Sequence, residues 1–139
     1  MKANDVVAIA LRSPLHVMMG DTMLLTVTGR KTGRKIPVPV NYYRDGNALW
    51  VIPSRDRTWW RNLTQGGEFD VRLHGRDLKG YAEVMLDEST VAAQIGEYAR
   101  RLPASARYIG LRIENGAPNG DDLARLTKEK LFVRICIVG

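Results

Sequence analysis

Apolar and polar side chains alternate in six segments of this chain with the two-residue period that is typical of β-strands. In the first segment Met23, Leu25 and Val27 share one face, because successive side chains of a strand point to opposite sides. The six predicted strands cover residues 23–28, 36–43, 48–52, 69–73, 78–85 and 131–138. Short turns join the first three strands, which predicts an antiparallel meander.

Helical periodicity is clearest in residues 87–102, where Val91, Ile95 and Tyr98 recur at a spacing of three or four residues. Shorter helices are predicted over residues 4–12, 58–64 and 105–111, and from Asp121 or Asp122 to Glu129. Residues 114–121 contain several glycine and proline breakers and are predicted to form a loop.

Six antiparallel strands with helices inserted late predict an α+β fold. A flat sheet of six such strands would expose one apolar face and two unpaired edges, whereas closure into a small barrel covers both. No linker-like segment divides the chain. We therefore expect a single domain over residues 1–139, a six-stranded antiparallel β-barrel with flanking helices and an N-terminal helix at about 4–12.

Charge and composition narrow the class of partner. The chain has 139 residues, a net charge of +6 and a pI of about 9.8, which favours nucleic acid, anionic lipid or phosphorylated small molecules. No recognition-helix motif, zinc finger or stacked-aromatic signature favours nucleic acid, so we predict a small-molecule partner and no nucleic acid. No cluster of Cys, His and carboxylate residues has the spacing of metal ligands, so we predict no metal site.

Location follows from what the sequence lacks. No run approaches 18 apolar residues, and the first residues do not form a signal-peptide pattern. The lone Cys136 cannot form an internal disulfide, which fits a reducing compartment. We expect a cytoplasmic protein with no integral membrane segment.

The most informative motif is the turn between the first two predicted strands, residues 29–35. Its cations are Arg30, Lys31, Arg34 and Lys35. Two glycines permit a tight backbone path that exposes N–H groups, and Thr32 adds a hydroxyl. Converging N–H groups and guanidinium forks suit a phosphate. A solvated hairpin tip would explain the same composition, so the motif alone leaves both interpretations open.

Pro37 and Pro39 lie two residues apart in the second predicted strand, so the N–H groups that both lack belong to the same edge. That edge cannot be fully paired with another strand. A planar ligand lying along the open edge would explain the pattern, and an edge strand protected against aggregation explains it equally well.

Further candidate contacts follow the third predicted strand. Ser54, Arg55 and Arg57 offer a hydroxyl and two cations that could join the basic turn at one end of the barrel. Only one of the adjacent Trp59 and Trp60 can fully face the core from a short amphipathic helix. The other could border a ring system, or could lie half-buried at the surface or in a dimer contact.

Two isolated polar side chains complete the candidates. Asn62 could hydrogen-bond to a ligand or cap a loop, and Tyr108 could reach a pocket or belong to the core or surface. The sequence places no histidine partner for Cys136, so packing explains this cysteine better than nucleophilic catalysis.

These motifs resemble, in order and spacing, the deazaflavin-dependent nitroreductase family of the split β-barrel flavin-binding superfamily. The likeness rests on residues 24–35, residues 37–42 and the segment Trp-Trp-Arg-Asn-Leu at 59–63. It covers roughly residues 10–85, with a looser match through the last strand. The resemblance implies a homodimeric split barrel that binds the deazaflavin hydride carrier coenzyme F-420, or alternatively FMN.

The resemblance also implies roles for the basic turn and its surroundings. The phosphate-bearing tail of the cofactor would fall to Arg30, Lys31 and Thr32, with Arg34 nearby. The backbone of residues 37–39 (Pro37, Val38 and Pro39) would border the deazaflavin. The family's Ser-Lys matches Ser54 and Arg55, and its Trp-x-x-Asn motif matches Trp59 and Asn62.

Two departures from the family pattern concern the substrate. Only residues 56–58 separate Arg55 from Trp59, where nitroreductases of the family often have a glycine-rich loop. Residues 102–108 keep one of the three tyrosines that those enzymes carry near the substrate. The proton for a reduced substrate would then come from Tyr108, an ordered water or solvent.

The sequence thus predicts an oxidoreductase that uses coenzyme F-420 to transfer a hydride to a small organic acceptor such as a quinone or a nitro compound. The alternatives are an FMN-binding split-barrel protein and a carrier that binds a cofactor or ligand without turnover. Tyr108 is the predicted catalytic residue. The predicted cofactor-binding residues are Arg30, Lys31, Thr32, Arg34, Pro37, Val38, Pro39, Ser54, Arg55, Arg57, Trp59, Trp60 and Asn62.

Overall fold

The computed structural model describes residues 21–138, in which six strands close into a β-barrel. The strands are β1 (Asp21–Thr28), β2 (Lys35–Asp45), β3 (Ala48–Val51), β4 (Glu68–Leu73), β5 (Arg76–Met85), β6 (Ile113–Glu114), β7 (Ala117–Pro118) and β8 (Phe132–Val138). The helices are a 3-10 helix (Trp59–Leu63), α1 (Glu88–Arg101), α2 (Pro103–Tyr108) and α3 (Gly120–Glu129). The helix predicted at residues 4–12 lies outside the described residues.

The barrel closes in the order β1-β2-β3-β8-β5-β4. All six strands predicted from the alternation of apolar and polar residues belong to it, and β1, β2 and β3 form the predicted meander. The predicted fold, an α+β six-stranded antiparallel split β-barrel with flanking helices, is therefore confirmed.

The described residues form two compact units. The barrel unit consists of residues 21–52, 58–84 and 133–138, and the helical unit consists of residues 53–57 and 85–132. The single domain expected over residues 1–139 stays a prediction. No helix within residues 21–138 combines the length and the apolar character needed to cross a membrane.

Alternate side chains of the barrel strands point inward and form the core of the barrel unit. Met23, Leu25 and Val27 of β1 are almost completely buried, as their spacing predicts. β5 packs so close to the core that a side chain at Gly80 would force its neighbours to shift by a few tenths of an ångström. A Cβ atom at Gly80 would lie 3.1 Å from Val71 Cγ2 and 3.3 Å from Ile135 Cγ2.

Two tight turns follow from residues that accept positive φ angles. His74 and Gly75, with φ of 50° and 76°, form the two-residue turn between β4 and β5. Asn115 and Gly116, with φ of 53° and 78°, form a similar turn between β6 and β7. The prediction that residues 114–121 are loop was therefore wrong in part, because an Asn-Gly pair is itself a strong hairpin signal.

The helical unit is built around α1, which packs against α2 and α3. The buried residues of α1 are Val91, Ile95, Tyr98 and Ala99, which confirms the predicted helical face. Burial of this stripe matters because a helix of this length gains most of its stability from packing.

The N-terminus of α3 differs from the prediction that Asp121 or Asp122 caps it. Asn119 is the capping residue, and its Oδ1 accepts a hydrogen bond of 3.0 Å from the Asp122 backbone N–H. Asp122 is instead bound by Arg112, whose Nε and backbone N–H lie 2.8 and 3.0 Å from Asp122 Oδ2. These two donors lower the pKa of Asp122 from 3.8 to about 2.

We expect Asp122→Asn to lower the free energy of unfolding at pH 7. Because the folded-state pKa of Asp122 lies below its unfolded value, its carboxylate stabilises the fold above about pH 4. This contribution is lost as the pH falls towards 2, so the variant should show a flatter dependence of stability on pH in that window. Urea unfolding at pH 7, 4 and 2.5 measures both effects.

The matched control is Asp121→Asn, which neutralises an exposed carboxylate in the same helical turn. A control that loses as much stability as Asp122→Asn would attribute the effect to general charge at the helix N-terminus rather than to the Arg112 contact.

Candidate functional site

The basic turn has a defined backbone conformation. The Gly29 N–H donates to the Arg34 carbonyl at 2.8 Å, and the Gly33 N–H donates back to the Gly29 carbonyl at 2.9 Å. Gly33 has a φ of 70°, which glycine adopts without strain. Thr32 Oγ1 accepts a hydrogen bond of 3.3 Å from the Arg34 N–H. The hydroxyl of Thr32 therefore stabilises the turn through a hydrogen bond within the turn itself.

The cations of the turn are exposed and largely uncommitted. Arg30, Lys31 and Arg34 are exposed, and no carboxylate within residues 21–138 forms an ion pair with any of them. Lys35 differs, because its Nζ donates to Thr28 Oγ1 at 3.1 Å. An anion can therefore bind at the tip of the turn without displacing an ion pair with any carboxylate of residues 21–138.

Asn62 ties the turn to the 3-10 helix. Its Oδ1 accepts a hydrogen bond of 3.0 Å from the Arg30 backbone N–H, and its Nδ2 donates to the Trp59 carbonyl at 3.1 Å. Both ends of the amide are thus used within the protein. The sequence allowed Asn62 either to hydrogen-bond to a ligand or to cap a loop. The structure shows the second role, in which Asn62 joins two segments 32 residues apart in the chain.

The open edge predicted from the two prolines is present in β2. Since the Gly29 N–H bonds to the Arg34 carbonyl, hydrogen-bonded pairs recur at every second position along β1 and β2. Pro37 and Pro39 fall between these pairs, so their nitrogens and carbonyls point away from β1. On that side β3 pairs only with residues 43–45, and no other described strand pairs with β2 at the prolines.

A cavity of about 430 Å³ lies beside the turn in the barrel unit. Its floor includes the buried residues Val27, Leu63 and Phe69. The residues lining the cavity are Val27, Thr28, Gly29, Arg30, Gly33, Asn62, Leu63, Gln65, Gly66, Gly67, Glu68 and Phe69. The structure thus brings Arg30 and Asn62, two of the predicted site residues, into one concave site.

The two tryptophans divide as the sequence predicts, with one in the core. Trp60 is 6% exposed, and the Arg61 guanidinium carbon lies 5.1 Å from its ring centroid. Trp59 is half-buried. Neither indole lines the cavity, and their contact with a cofactor stays a prediction.

Ser54, Arg55 and Arg57 belong to the helical unit, and two of them are engaged there. Ser54 Oγ accepts a hydrogen bond of 2.9 Å from Lys130 Nζ. The Arg55 guanidinium donates to the carbonyls of Lys130 and Leu86, both at 2.8 Å. The Arg57 side chain is exposed. A role for these residues in binding the cofactor stays a prediction. Arg55 also joins Lys130 and Leu86 within the helical unit through these hydrogen bonds.

Tyr108 is the last residue of α2 and is 74% exposed. Its hydroxyl is therefore open to solvent within the described residues. The proposed catalytic role of Tyr108 stays a prediction.

The sequence of this chain matches the model of a known protein family over residues 8–110, which include the basic turn, the proline edge and Asn62. The family is described as F420H(2)-dependent quinone reductase. The chain belongs to this family. The resemblance to deazaflavin-dependent proteins is thereby confirmed, and the protein is an oxidoreductase of a family that uses coenzyme F-420.

Several solved structures are similar in fold to this protein. A conserved hypothetical protein from Mycobacterium tuberculosis is similar with a TM-score of 0.54 and 12% identity, covering 100% of this chain and 82% of that chain. HutZ, the heme storage protein from Vibrio cholerae, is similar with a TM-score of 0.53 and 11% identity, covering 100% and 92%. At these identities the likeness shows the fold alone. A comparison with curated proteins found no significant match.

The polar groups of this protein at the turn and at the edge of β2 fit a cofactor that has a phosphate and a planar ring. The turn offers uncommitted cations for the phosphate at Arg30, Lys31 and Arg34, since no described carboxylate pairs with them. The edge of β2 offers the carbonyls of Pro37 and Pro39 to a ring that carries N–H donors. The chemistry of these groups is therefore compatible with coenzyme F-420.

One wall of the cavity was missed in the sequence. Gln65, Gly66, Gly67 and Glu68 line it, and none of them is among the residues that the sequence predicts for the site. Gly66 and Gly67 have φ angles of 78° and 93°, whereas the end of a helix commonly needs only one residue with a positive φ angle. A pair of adjacent glycines after the Trp-x-x-Asn motif was the available signal for a backbone-lined wall.

We expect Asn62→Ala to loosen the basic turn. The variant loses both hydrogen bonds that join the turn to the 3-10 helix, which should lower the free energy of unfolding by about 1–2 kcal/mol. Hydrogen exchange of the Arg30 amide should become faster, because its acceptor has been removed. The measurements are urea unfolding and amide exchange followed by NMR.

Asn62→Asp is the matched comparison, because it keeps the acceptor for the Arg30 N–H and loses the donor to the Trp59 carbonyl. Protection of the Arg30 amide should survive in this variant. Equal loss of protection in both variants would contradict the assigned contact.

Proposed function

We propose that this protein transfers a hydride from reduced coenzyme F-420 to a small organic acceptor such as a quinone or a nitro compound. The observation that carries the proposal is the basic turn, whose exposed cations Arg30, Lys31 and Arg34 lack described carboxylate partners. Membership of the reductase family supports the same reaction class. When bound, the deazaflavin ring supplies the hydride chemistry, and the protein binds and orients it.

In this proposal the turn binds the phosphate of the cofactor tail. The guanidinium groups of Arg30 and Arg34 can each offer two parallel donors to phosphate oxygens, and Lys31 adds a point charge. Thr32 acts on the turn itself, because its hydroxyl already accepts the Arg34 N–H. Asn62 holds the turn in place before any ligand arrives, which reduces the entropy lost on binding.

The edge of β2 binds the ring of the cofactor in the same proposal. At Pro37 and Pro39 this edge presents carbonyl acceptors without the N–H donors that would recruit another strand. Val38 lies between them and is partly buried. A ring N–H group can therefore bond to the edge, while pairing with a further strand is disfavoured.

We also propose that the cofactor contacts five further residues, namely Ser54, Arg55, Arg57, Trp59 and Trp60. Arg57 is favoured among the three polar residues, since its side chain is exposed while Ser54 and Arg55 are bound within the helical unit. Trp59 is the better candidate for a contact with the cofactor ring, because it is half-buried while the Trp60 side chain lies in the core.

We also propose that two copies of the chain assemble and that the protein works in the cytoplasm. Large apolar side chains on the barrel unit support a contact between copies. Ile36, Tyr81 and Val138 are 38%, 47% and 49% exposed. Light scattering after size-exclusion chromatography distinguishes a dimer from a monomer.

Neutralising the turn should weaken the binding of coenzyme F-420. We expect Arg30→Gln, Lys31→Gln and Arg34→Gln each to raise the dissociation constant by roughly five- to tenfold, because each removes a charge-assisted contact with phosphate. The dependence of binding on salt should also become shallower. Quenching of the cofactor fluorescence on titration measures both quantities.

Arg44→Gln is the matched control, since Arg44 is an exposed cation at the other end of β2. It should bind F-420 as the unchanged protein does. If the turn variants and the control all bind alike, the proposed phosphate site is wrong. If F-420 binds but no quinone or nitro compound oxidises its reduced form, the protein is a carrier rather than a reductase.

Tyr108→Phe tests the proposed proton donor, because it removes only a hydroxyl that is exposed to solvent. If Tyr108 supplies the proton, oxidation of reduced F-420 by a quinone should slow by about a hundredfold while cofactor binding stays unchanged. Arg107→Gln, which changes the exposed side chain beside Tyr108 in α2, should retain the full rate. A Tyr108→Phe enzyme at full rate would assign the proton to water.

A further inference from the structure

The hairpin between β6 and β7, in the helical unit, turns at the exposed pair Asn115 and Gly116. An asparagine followed by glycine can react with its own backbone. The glycine nitrogen is one ring closure away from the asparagine side-chain carbonyl carbon, and glycine has no Cβ atom to obstruct the approach. Whether the reaction occurs in a folded protein depends on how firmly the fold holds the two reacting groups.

Neither group is held in this hairpin. No hydrogen bond joins the Asn115 side chain to a residue within 21–138. In a two-residue turn the backbone hydrogen bonds join the flanking residues, here Glu114 and Ala117, so the turn does not use the Gly116 N–H. A Cβ atom built at Gly116 would meet nothing within 4 Å, so the space around the pair is open.

The hairpin is also short, which makes it easy to open. β6 and β7 share two residue pairs, Ile113 opposite Pro118 and Glu114 opposite Ala117, and Pro118 has no N–H to donate. Local opening of such an exposed ladder costs little free energy. Opening lets Asn115 leave its φ of 53° and bring its side chain against the Gly116 nitrogen.

A second Asn-Gly pair, Asn119 and Gly120, provides a comparison within the same chain. Asn119 Oδ1 accepts the Asp122 N–H at 3.0 Å as the cap of α3, and its Nδ2 donates to Glu114 Oε1. Arg112 Nη2 lies 3.4 Å from the same Oδ1. Reaction at Asn119 would require these hydrogen bonds to break and α3 to lose its cap. The fold therefore holds one of the two identical dipeptides and leaves the other free.

We propose that Asn115 is a site of spontaneous backbone modification and that the cap contacts of Asn119 protect it from the same reaction. The Gly116 nitrogen loses its proton to solvent and forms a bond to Asn115 Cγ. The Cγ–Nδ2 bond breaks, and the nitrogen leaves as ammonia after taking a proton from solvent. Water then opens the cyclic imide at either carbonyl, which leaves aspartate or isoaspartate at position 115. Water is the co-reactant, and no electrons are exchanged.

The modification acts on the start of α3 through the hairpin. Isoaspartate adds a methylene to the backbone of a turn whose length is matched to its two strands. Either product also adds a carboxylate beside Glu114, which binds Asn119 Nδ2. Both changes weaken the pairing in which the Asn119 N–H donates to the Arg112 carbonyl at 2.8 Å.

Incubation of the full chain at pH 8, followed by peptide mapping with mass spectrometry, tests the proposal. Asn115 should convert at least about tenfold faster than Asn119, because the side-chain bonds of Asn119 must break first. In urea the two rates should converge. The proposal is wrong if Asn119 converts as fast as Asn115 in the folded protein, or if Asn115 converts in urea alone.

Asn115→Gln is the matched variant, because it keeps the amide but would have to close a larger and less favourable ring. Modification at position 115 should cease in this variant, and the slow rate at Asn119 should stay unchanged. Continued release of ammonia at the original rate would place the reaction at another residue.

Hydrogen exchange followed by NMR tests the effect on α3. The Asn119 amide should exchange about fivefold faster in the isoaspartate form than in fresh protein, because its acceptor on Arg112 is less firmly placed. Asn115→Asp carries the charge without the added methylene and should keep most of the protection. Unchanged exchange in the isoaspartate form would overturn the proposed link between the hairpin and α3.

Discussion

The amide of Asn62 is the contact on which the candidate site depends. It bonds to the Arg30 N–H on one side and to the Trp59 carbonyl on the other, and it thereby joins a hairpin tip to a helix that comes later in the chain. A hairpin tip with four cations would otherwise be disfavoured in a single conformation, because like charges repel. The position of the turn, and with it one wall of the cavity, follows from this bridge.

Charge is distributed in a way that gives the turn its chemical character. Elsewhere on the barrel several cations are neutralised by carboxylates, as Lys79 is by Asp70, Arg72 by Asp77 and Arg134 by Glu83. Such exposed pairs add little stability, but they leave no excess field. The cations of the turn, which pair with no described carboxylate, therefore supply a local positive potential that attracts a phosphate.

The barrel could be predicted from the sequence because a half-buried strand displays its own period, as Met23, Leu25 and Val27 show. The basic turn could be predicted because it lies between two such strands. The roles of Asn62 and Arg55 could not, because their partners are remote in sequence, at Arg30 for one and at Leu86 and Lys130 for the other. The wall at residues 65–68 escaped notice because backbone groups rather than side chains form it.

The two prolines of β2 also constrain the alignment of the hairpin. In the observed alignment their nitrogens lie between the hydrogen-bonded pairs with β1, so neither proline costs a bond there. A slip of β2 by one residue would turn both nitrogens towards β1 and forfeit two ladder hydrogen bonds, while the buried side chains of β2 would move to the outer face. Pro37 and Pro39 therefore disfavour a shifted register of the hairpin, and they fix the position of each cation of the turn relative to β1.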